Sequence, residues 1–545
     1  MNIDLTTLNL PHGWTRRDLS DGLRVIEAED PAEPLTVPLR VTGLHTLRLD
    51  FLTPANRRDL SMQLKLSLQQ VWRRIRPMRF IHDERDAIQS TDVITLDVQP
   101  GDALHIRTEP VNGIAIAGMS LTPAAAAATI PREKEIGFVH DTNMSFSKFT
   151  VREPEDVYSI IQPYIDSHVT HVFWGTGVGT YSPLYDSAVF GWHGQEQCEF
   201  MADHRERTAV FMRKLMKAGK DPLTLAIEYA HANGLQLWAN HRISKNHEPD
   251  FRDDFPGGRF LIQHRDKLVL EYSGEPHFQT IVSHAYPEIR QTTVQCLVEQ
   301  ARYGVDGIYI DFLRKSPIVG WEEKSIEDFV IKHGFDPRQT QPKNFNLMWF
   351  EHLSTYPTML LRELRNALEL VERELGRRMP IAVNVKGNWR FTDGLTSCIY
   401  EGLDPFTWAK EGLVDIVIPG QDLWLDQECL DRYTHGLSET DCSLWGAIGP
   451  QVREMHRGRV EKEAFGAEYA DTDPWRYLQA AHDYFSQGAP GVAIWESQDI
   501  PSVPQVWNII KHRIGSHTEL RKEFGDKLGR FDGSDKFERR FVTTS

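Results

Sequence analysis

The stretch "GVDGIYIDFLRK", residues 304–315, decides the fold of the larger part of the chain. Ile308 and Ile310 belong to a short apolar segment of the kind that is buried on both faces of a sheet, and Asp311 follows directly without a turn residue. A single acid in this position would be a solvated loop residue or the cap of the next helix. A series of such segments would instead put the acid at the carboxyl end of a parallel strand.

Seven more segments of this type lie between residues 136 and 497, and helical patterns separate them. Eight strands, each followed by a helix, predict a (β/α)8 barrel. An open doubly wound sheet is the alternative, but we find no GxGxxG or GxxxxGK[ST] loop to support it. The predicted strands are "IGFVHD" (136–141), "HVFWGTG" (171–177), "LQLWANH" (235–241), "GIYIDF" (307–312), "IAVNVKG" (381–387), "DIVIPGQ" (415–421), "SLWGAIG" (443–449) and "GVAIWES" (491–497).

The N-terminal region has a different pattern, in which apolar residues alternate with polar ones. "LHTLRLDF" puts Leu47, Leu49 and Phe51 on one face, and "DVITLDV" does the same with Ile94, Leu96 and Val98. Short alternating strands predict an antiparallel β-sandwich. We therefore expect an N-terminal β-sandwich domain (1–130), a barrel domain (131–520) and a C-terminal tail (521–545).

The composition excludes several classes of partner. Lys and Arg number 61 against 77 Asp and Glu, a net charge of −16 that disfavours binding to nucleic acid or anionic membranes. The N-terminal residues show no secretory signal pattern, and no stretch approaches the length of a membrane span, so we expect a cytoplasmic protein. Five scattered cysteines without CxxC spacing argue against a disulfide framework or a zinc knuckle. A homo-oligomer is left open.

Barrel geometry separates the aspartates near the strands into two groups. In a (β/α)8 barrel the carboxyl ends of the strands carry the chemistry, and the amino ends serve stability. Asp306 and Asp415 precede their strands and are predicted to be structural, whereas Asp311 should face the mouth. The other side chains expected at the mouth are those of Asp141, Trp174, Asn240, His241, Arg242, Arg314, Asn384, Lys386, Trp389, Glu401, Gln421, Asp422, Trp424, Trp445, Trp495, Glu496 and Asp499.

Such a combination of carboxylates, amides and indoles suits a sugar ligand. Indole rings stack on the apolar faces of sugars, and Asn, Gln, Asp and Arg bond to the hydroxyl groups. Tyr309 lies between two apolar residues and points either into the barrel or against a helix. We count it among the candidate substrate-binding residues. The predicted partner is a carbohydrate substrate, and no cofactor is expected.

Three stretches of the chain resemble the glycosyl-hydrolase-like family 10 barrels, which are related to glycoside hydrolases of the α-amylase and α-galactosidase type. They are "EYAHANGLQLWANHRI" (228–243), "GVDGIYIDFLRKSP" (304–317) and "AKEGLVDIVIPGQDLW" (409–424). The resemblance covers about residues 135–500 and implies an acid after strand four at Asp311 and a glutamine after strand six at Gln421. "NHRI" stands where the family often has Asn-Pro, and strand five lacks the glutamate of the α-amylase clan. The resemblance therefore implies no proton donor.

Hydrolysis of a glycosidic bond requires two carboxyl groups, of which one is charged and one is protonated. We predict Asp311 as the nucleophile or stabilising base. Glu496, directly after Trp495, is the preferred proton donor because burial beside an indole would raise the pKa of a glutamate. Asp422 and Glu401 are reserve candidates for this role.

Two alternative functions are compatible with the same residues. A carbohydrate-binding or regulatory barrel without catalysis is one, since no motif identifies the second acid. A metal-dependent hydrolase using His140, Asp141 and His241 is the other. The HxH pair with which such metal sites commonly begin is absent, so we expect no metal centre.

Overall fold

The computed structural model describes most of the chain in two successive parts, antiparallel sheets up to residue 123 and an α/β part from residue 135. The residues it describes are 1–19, 22–29, 32–53, 61–76, 87–109, 113–126, 129–148, 153–196, 203–244, 256–277, 280–313, 316–339, 347–387, 397–420, 427–449, 474–495, 500–526 and 528.

The N-terminal part contains two antiparallel sheets that share an apolar core. Its strands are β1 (Trp14–Asp18), β2 (Arg24–Ala28), β3 (Leu35–Pro38), β4 (Gly43–Thr53), β5 (Met62–Leu66), β6 (Arg73–Ile75), β7 (Ala87–Val98), β8 (Ala103–Thr108) and β9 (Ile114–Pro123). The five-stranded sheet has the order β1-β2-β9-β4-β7, and the four-stranded sheet has the order β3-β8-β5-β6. Leu47 and Ile116 of the first sheet and Leu104 of the second belong to one buried cluster.

The alternating pattern of this region correctly predicts which residues are buried, except at a bulge. Leu47, Leu49 and Phe51 of β4 are fully buried. The pairing of β4 with β7 shifts by one residue, so that Val93 is left as the extra residue on β7. Val93 is buried as well, and Ile94, which is paired with Leu47, is half-buried and packs against the core as predicted.

The second part is built on a nine-stranded parallel sheet that forms a nearly closed ring. Its strands follow the order β18-β17-β16-β15-β14-β11-β10-β20-β19. A separate hairpin consists of β12 and β13. The strands are β10 (Glu135–His140), β11 (His171–Gly175), β12 (Gly177–Gly179), β13 (Ser182–Pro183), β14 (Gln236–Arg242), β15 (Gly307–Asp311), β16 (Ile381–Val385), β17 (Ile416–Pro419), β18 (Ser443–Leu444), β19 (Gly446–Ile448) and β20 (Gly491–Trp495).

Trp445 separates the two strands at the ends of this sheet, and we call residues 443–448 the seam. β18 pairs with β17, and β19 pairs with β20. The backbone N–H of Trp445 donates to the carbonyl of Val417, 3.0 Å away, which continues the pairing of β18. The nine strands thus correspond to the eight predicted segments, because the seventh segment is divided at Trp445.

Helices cover the outside of this ring, so each central strand is buried on both faces, as its unbroken apolar sequence predicts. In the described residues they are α1 (Thr142–Lys148), α2 (Asp156–Ile165), α3 (Asp203–Lys217), α4 (Pro222–Ala232), α5 (Pro256–Gln263), α6 (Pro287–Arg302), α7 (Glu323–His333), α8 (Leu347–Leu375), α9 (Ser397–Tyr400), α10 (Pro405–Lys410), α11 (Gln427–Leu437), α12 (Pro474–Ser486), α13 (Pro504–Ile510) and α14 (His517–Phe524).

The lower interior of the ring, at the amino ends of the strands, is filled by aromatic side chains. Phe173 and Tyr309 lie with their ring centroids 4.6 Å apart, and the indole of Trp238 meets Phe173 edge-on at 5.7 Å. A Cβ atom on Gly307 would lie 2.4 Å from that indole. Glycine at position 307 therefore makes room for a tryptophan from the neighbouring strand.

Asp306 and Asp415 have the structural role that was predicted for acids at the amino ends of strands. Asp306 accepts hydrogen bonds from the backbone N–H of Leu237 and from His231. Asp415 accepts from the backbone N–H of Ile381 and from Arg365. Each carboxylate thus joins two neighbouring strands at the face opposite the mouth.

Buried polar contacts connect the N-terminal sheets to the α/β part. Arg107 of β8 donates to Asp156 at the start of α2 over 2.8 Å, and both side chains are buried. Gln505 of α13 donates to Thr91 of β7. The helix α14 continues past the predicted domain boundary at residue 520 and ends at Phe524. In the described residues, no helix has the length and apolar character needed to cross a bilayer.

Candidate active site

Three adjacent strands bring polar side chains to the same level above the aromatic interior. In the parallel register Arg242 of β14 lies beside Asp311 of β15, which lies beside Asn384 of β16. Side chains alternate along a strand, so Asp311 points to the same side as Tyr309, two residues earlier, which packs inside the ring. The carboxyl ends of these three strands therefore carry a polar layer.

Arg242 contacts two carboxylates from different strands. Its Nη1 donates to Oδ2 of Asp141, at the end of β10, over 3.0 Å, and its Nε lies 3.6 Å from Oδ2 of Asp311. Asp311 Oδ1 accepts from the backbone N–H of Leu313. The Asp311 side chain is completely buried, and those of Arg242 and Asp141 are 5% and 7% exposed. One buried cation thus lies between two buried anions.

Two buried amides lie beside this ionic group. Asn240 pairs in register with Gly175 and Tyr309 on its neighbouring strands and is 1% exposed. Neither polar atom of its side chain has a hydrogen-bond partner among the described residues. Asn384 donates to the carbonyl of Gly420, 3.1 Å away, but its Oδ1 has no partner there either. An unpaired buried amide is costly, so these groups indicate a place for a polar ligand or for water.

Lys386, the residue directly after β16, forms a second ion pair with Glu401. Their charged atoms are 3.4 Å apart, and each side chain is about one fifth exposed, at 20% and 22%. The carbonyl of Lys386 accepts hydrogen bonds from the hydroxyl of Tyr433 and the thiol of Cys398. These two contacts fix the backbone at the end of the strand, so that Lys386 and Glu401 stand at the edge of the polar layer.

Trp174 and His241 lie elsewhere than predicted, because they point outward from their strands. Trp174 packs in the cluster that the strands form with the helices, and the ring of His140 stacks on it at 5.4 Å. His241 contacts Gln300 of α6. Trp495, the last residue of β20, belongs to the apolar cluster inside the ring.

Trp445 points into the ring but lies in its lower interior. Its indole meets the ring of His171 edge-on at 5.1 Å. A Cβ atom on Gly491, the first residue of β20, would lie 2.7 Å from the indole. Trp445 therefore fills the amino-terminal half of the ring and does not line the mouth, in contrast to the prediction.

The outward direction of His140 and His241 bears on the alternative metal site. His140 contacts Ser145 of α1, while Asp141 is held by Arg242 inside the ring. Burial lowers the pKa of His241 to about 4, so this imidazole is neutral at pH 7. In the described part of the chain, no group of three or more His, Cys, Asp or Glu side chains is arranged to hold a metal ion.

Seven of the predicted site residues lie outside the described residues. This applies to the preferred proton donor, Glu496, and to the reserve candidate Asp422. It also applies to the five candidate substrate-binding residues Arg314, Trp389, Gln421, Trp424 and Asp499.

Sequence reasoning did not identify two features of the site. One is the sharing of Arg242 between Asp141 and Asp311, since Arg242 and Asp141 are 101 residues apart. The other is a small cavity between the hairpin β12–β13, β14 and α6, which is lined by Thr176, Gln300 and others. The sequence does carry a local signal for the hairpin beside this cavity, namely the glycines of "GTGVGT" (175–180). A side chain at position 177 would not fit there, because a Cβ atom on Gly177 would lie 2.4 Å from the carbonyl oxygen of Gly179.

No protein-family model matches the chain, and a search of curated proteins found no match. Similar solved structures include alpha-L-fucosidase isoenzyme 2 from Paenibacillus thiaminolyticus, at 11% identity and a TM-score of 0.42, with 72% of this chain and 50% of that chain covered. The beta-galactosidase from the psychrophilic Marinomonas ef1 is 11% identical, with a TM-score of 0.42, and the match covers 71% of this chain and 59% of that chain. The catalytic domain of beta-amylase from Paenibacillus polymyxa is 11% identical, with a TM-score of 0.43, and the match covers 71% of this chain and 99% of that chain. The chain thus spans about half of the fucosidase's length. Its resemblance to the glycosyl-hydrolase-like family 10 barrels stays a prediction.

Proposed function

We propose that the protein is a glycoside hydrolase, which cleaves or transfers glycosyl groups of an oligo- or polysaccharide at the mouth of the ring. The observation that carries the proposal is the buried amide of Asn240, unpaired by described residues, near the carboxylate of Asp311, which faces Arg242. A sugar hydroxyl both donates and accepts hydrogen bonds, so it satisfies such an amide better than an apolar ligand does. The resembling stretches of sequence support the same class of reaction.

The proposal includes an interpretation of the architecture. We count β18 and β19 as one strand broken at Trp445, which makes the ring a (β/α)8 barrel. The two N-terminal sheets, with their common core, are interpreted as a β-sandwich. The corresponding domains are residues 1–130 and 131–520, and the helix α14 extends the second domain by a few residues.

In the proposed mechanism Asp311 acts as nucleophile or as stabilising base. Its position at the end of a rigid central strand suits this role, because the hydrogen bond from Leu313 fixes one carboxylate oxygen. The proton donor is Glu496, with Asp422 and Glu401 as the alternatives. Glu401 is the described member of this group, and it pairs with Lys386. The amides of Asn240 and Asn384 would bind sugar hydroxyls.

A screen of aryl glycosides and oligosaccharides, with product stereochemistry followed by NMR, tests the proposal. On the best substrate, Asp311→Asn should lower kcat by at least about a thousandfold, as expected for the loss of a nucleophile. The melting temperature should change little, because asparagine can still accept the hydrogen bond from Leu313. Asp266→Asn, on the surface, is the matched control and should keep full activity.

Three outcomes of these experiments would contradict the proposal. If the protein binds oligosaccharides and turns none over, the non-catalytic binding barrel is the better description. If Asp311→Asn keeps its activity and loses stability, Asp311 is a structural residue. Activity that disappears with a chelator and returns with a divalent ion would favour the metal-dependent alternative.

A further inference from the structure

Asp141 and Arg242 were expected to bind substrate, but their contacts suggest another task. The guanidinium reaches Asp141 at 3.0 Å and Asp311 at 3.6 Å, and all three side chains are buried. A guanidinium with two acidic partners has less capacity to bind a ligand. The described contacts therefore tie Arg242 to the protein.

The arrangement also restrains the carboxylate of Asp311 in a defined orientation. Oδ1 accepts from the backbone of Leu313, and Oδ2 faces Nε of Arg242. Asp141 in turn contacts Nη1 of the guanidinium, and the five N–H donors of this group allow it to bind both carboxylates at once. Displacement of Asp141 would remove one of the contacts that hold the guanidinium, and the restraint on Oδ2 would be weaker.

We propose that Arg242 and Asp141 are positioning residues, which together keep the Asp311 carboxylate charged and aligned without contacting the substrate. The inference rests on the proposed function, because it assigns how the nucleophile of that reaction is prepared. Arg242 supplies the positive charge that makes a buried carboxylate tolerable, and Asp141 limits how strongly this charge acts on Asp311.

The charged groups that face Asp311 come from each strand packed against it. Arg242 lies on β14, Asp141 follows β10, and Asn384 on β16 is neutral. Just after β16, Lys386 is paired with Glu401. Among the described residues, Arg242 is the cation in contact with this carboxylate, and Asp141 is the other acid that Arg242 contacts.

The pH dependence of kcat/KM provides the test. In Arg242→Gln, two buried acids lose their shared cation, so the acidic limb of the profile should move to higher pH by at least about one unit. In Asp141→Asn the full charge of Arg242 acts on Asp311, and the limb should move to lower pH. The double variant Asp141→Asn/Arg242→Gln should return the limb towards the wild-type position.

A second readout separates positioning from substrate binding. Positioning residues lower kcat, here by about 10- to 100-fold, with a change of KM below about threefold, whereas substrate-binding residues raise KM. Arg242→Lys keeps the charge, so its limb should stay within about half a unit of the wild type while kcat falls. If Arg242→Gln does not fold, Arg242→Lys and Asp141→Asn still carry the test.

The results distinguish failure of this inference from failure of the proposed function. A wild-type protein without glycoside turnover would overturn both. The inference alone would be overturned if the wild type turns over glycosides but Asp141→Asn and Arg242→Gln leave the acidic limb of the pH profile of kcat/KM unchanged. It would also be overturned if these variants change only KM. Opposite shifts of the limb that cancel in the double variant would support it.

Discussion

The lower and upper halves of the ring interior face the same axis but are built from different side chains. The lower half contains the packed rings of Phe173, Trp238, Tyr309 and Trp445, with glycines where an indole needs the space. The upper half contains Arg242, Asp311 and the amides of Asn240 and Asn384. The lower half supplies stability through close packing, whereas the upper half contains amide groups of Asn240 and Asn384 that have no hydrogen-bond partner among the described residues, which lowers stability.

The largest effect should come from opening the lower half. Phe173→Ala removes a fully buried ring that contacts both Tyr309 and Trp238, so unfolding should require about 3–5 kcal/mol less. Urea denaturation measures this change. Leu68→Ala is the control, because Leu68 is 73% exposed and its loss should cost less than about 0.5 kcal/mol. A cost for Phe173→Ala close to that of the control would refute the division into two halves.

An intermediate effect should follow from a histidine buried in the lower half. Burial lowers the pKa of His171 to about 4, although Glu135 and Asp306 act in the opposite direction. Below about pH 6.5 the imidazole of His171 is protonated in the unfolded chain but stays neutral in the folded protein. The free energy of unfolding should therefore fall by about 2 kcal/mol between pH 6.5 and 5. His171→Asn should remove this part of the fall, measured by thermal denaturation across pH.

The exposed His12 supplies the control for that experiment. His12→Asn should leave the dependence of stability on pH as it is in the wild type. If His171→Asn also leaves it unchanged, the imidazole at position 171 gains a proton within the folded protein, and the lower half is less closed than its packing indicates.

The smallest change in stability should come from the upper half. Asn240→Leu replaces an amide that described residues leave unpaired by an apolar group of similar size, so the free energy of unfolding should change by less than about 1 kcal/mol. The kcat/KM for the best glycoside should nevertheless fall about 10- to 100-fold, because a hydroxyl of the substrate loses its partner. A large loss of stability with unchanged kcat/KM would make Asn240 a structural residue.

Much of the fold could be predicted because the sequence pattern is local. Alternation in β4 identified Leu47, Leu49 and Phe51 as core residues, and unbroken apolar runs identified the strands of the ring. Asp306 and Asp415 were assigned correctly because their place before a strand decides the end of the sheet at which they lie.

The direction of individual side chains at the mouth could not be predicted in the same way. A strand buried on both faces shows no alternation, so its sequence does not tell which residues point inward. This is why Trp174 and His241 were grouped with Asn240 and Arg242, although they point outward. The depth of Trp445 depends on Gly491 and His171, which are distant in sequence. The same holds for the partners of Arg242.

The seam has a consequence for local opening of the ring. In the described part of the chain, the pairing of β17 with β18 covers Ile416 with Ser443 and Val417 with Leu444 and one further bond from Trp445, whereas β14 and β15 are paired from Trp238 to Arg242. Partial unfolding starts where few backbone hydrogen bonds must break together. Amide protons of residues 443–445 should therefore exchange with solvent sooner than those of β14, and the sheet should open beside Trp445 before it opens beside Asp311.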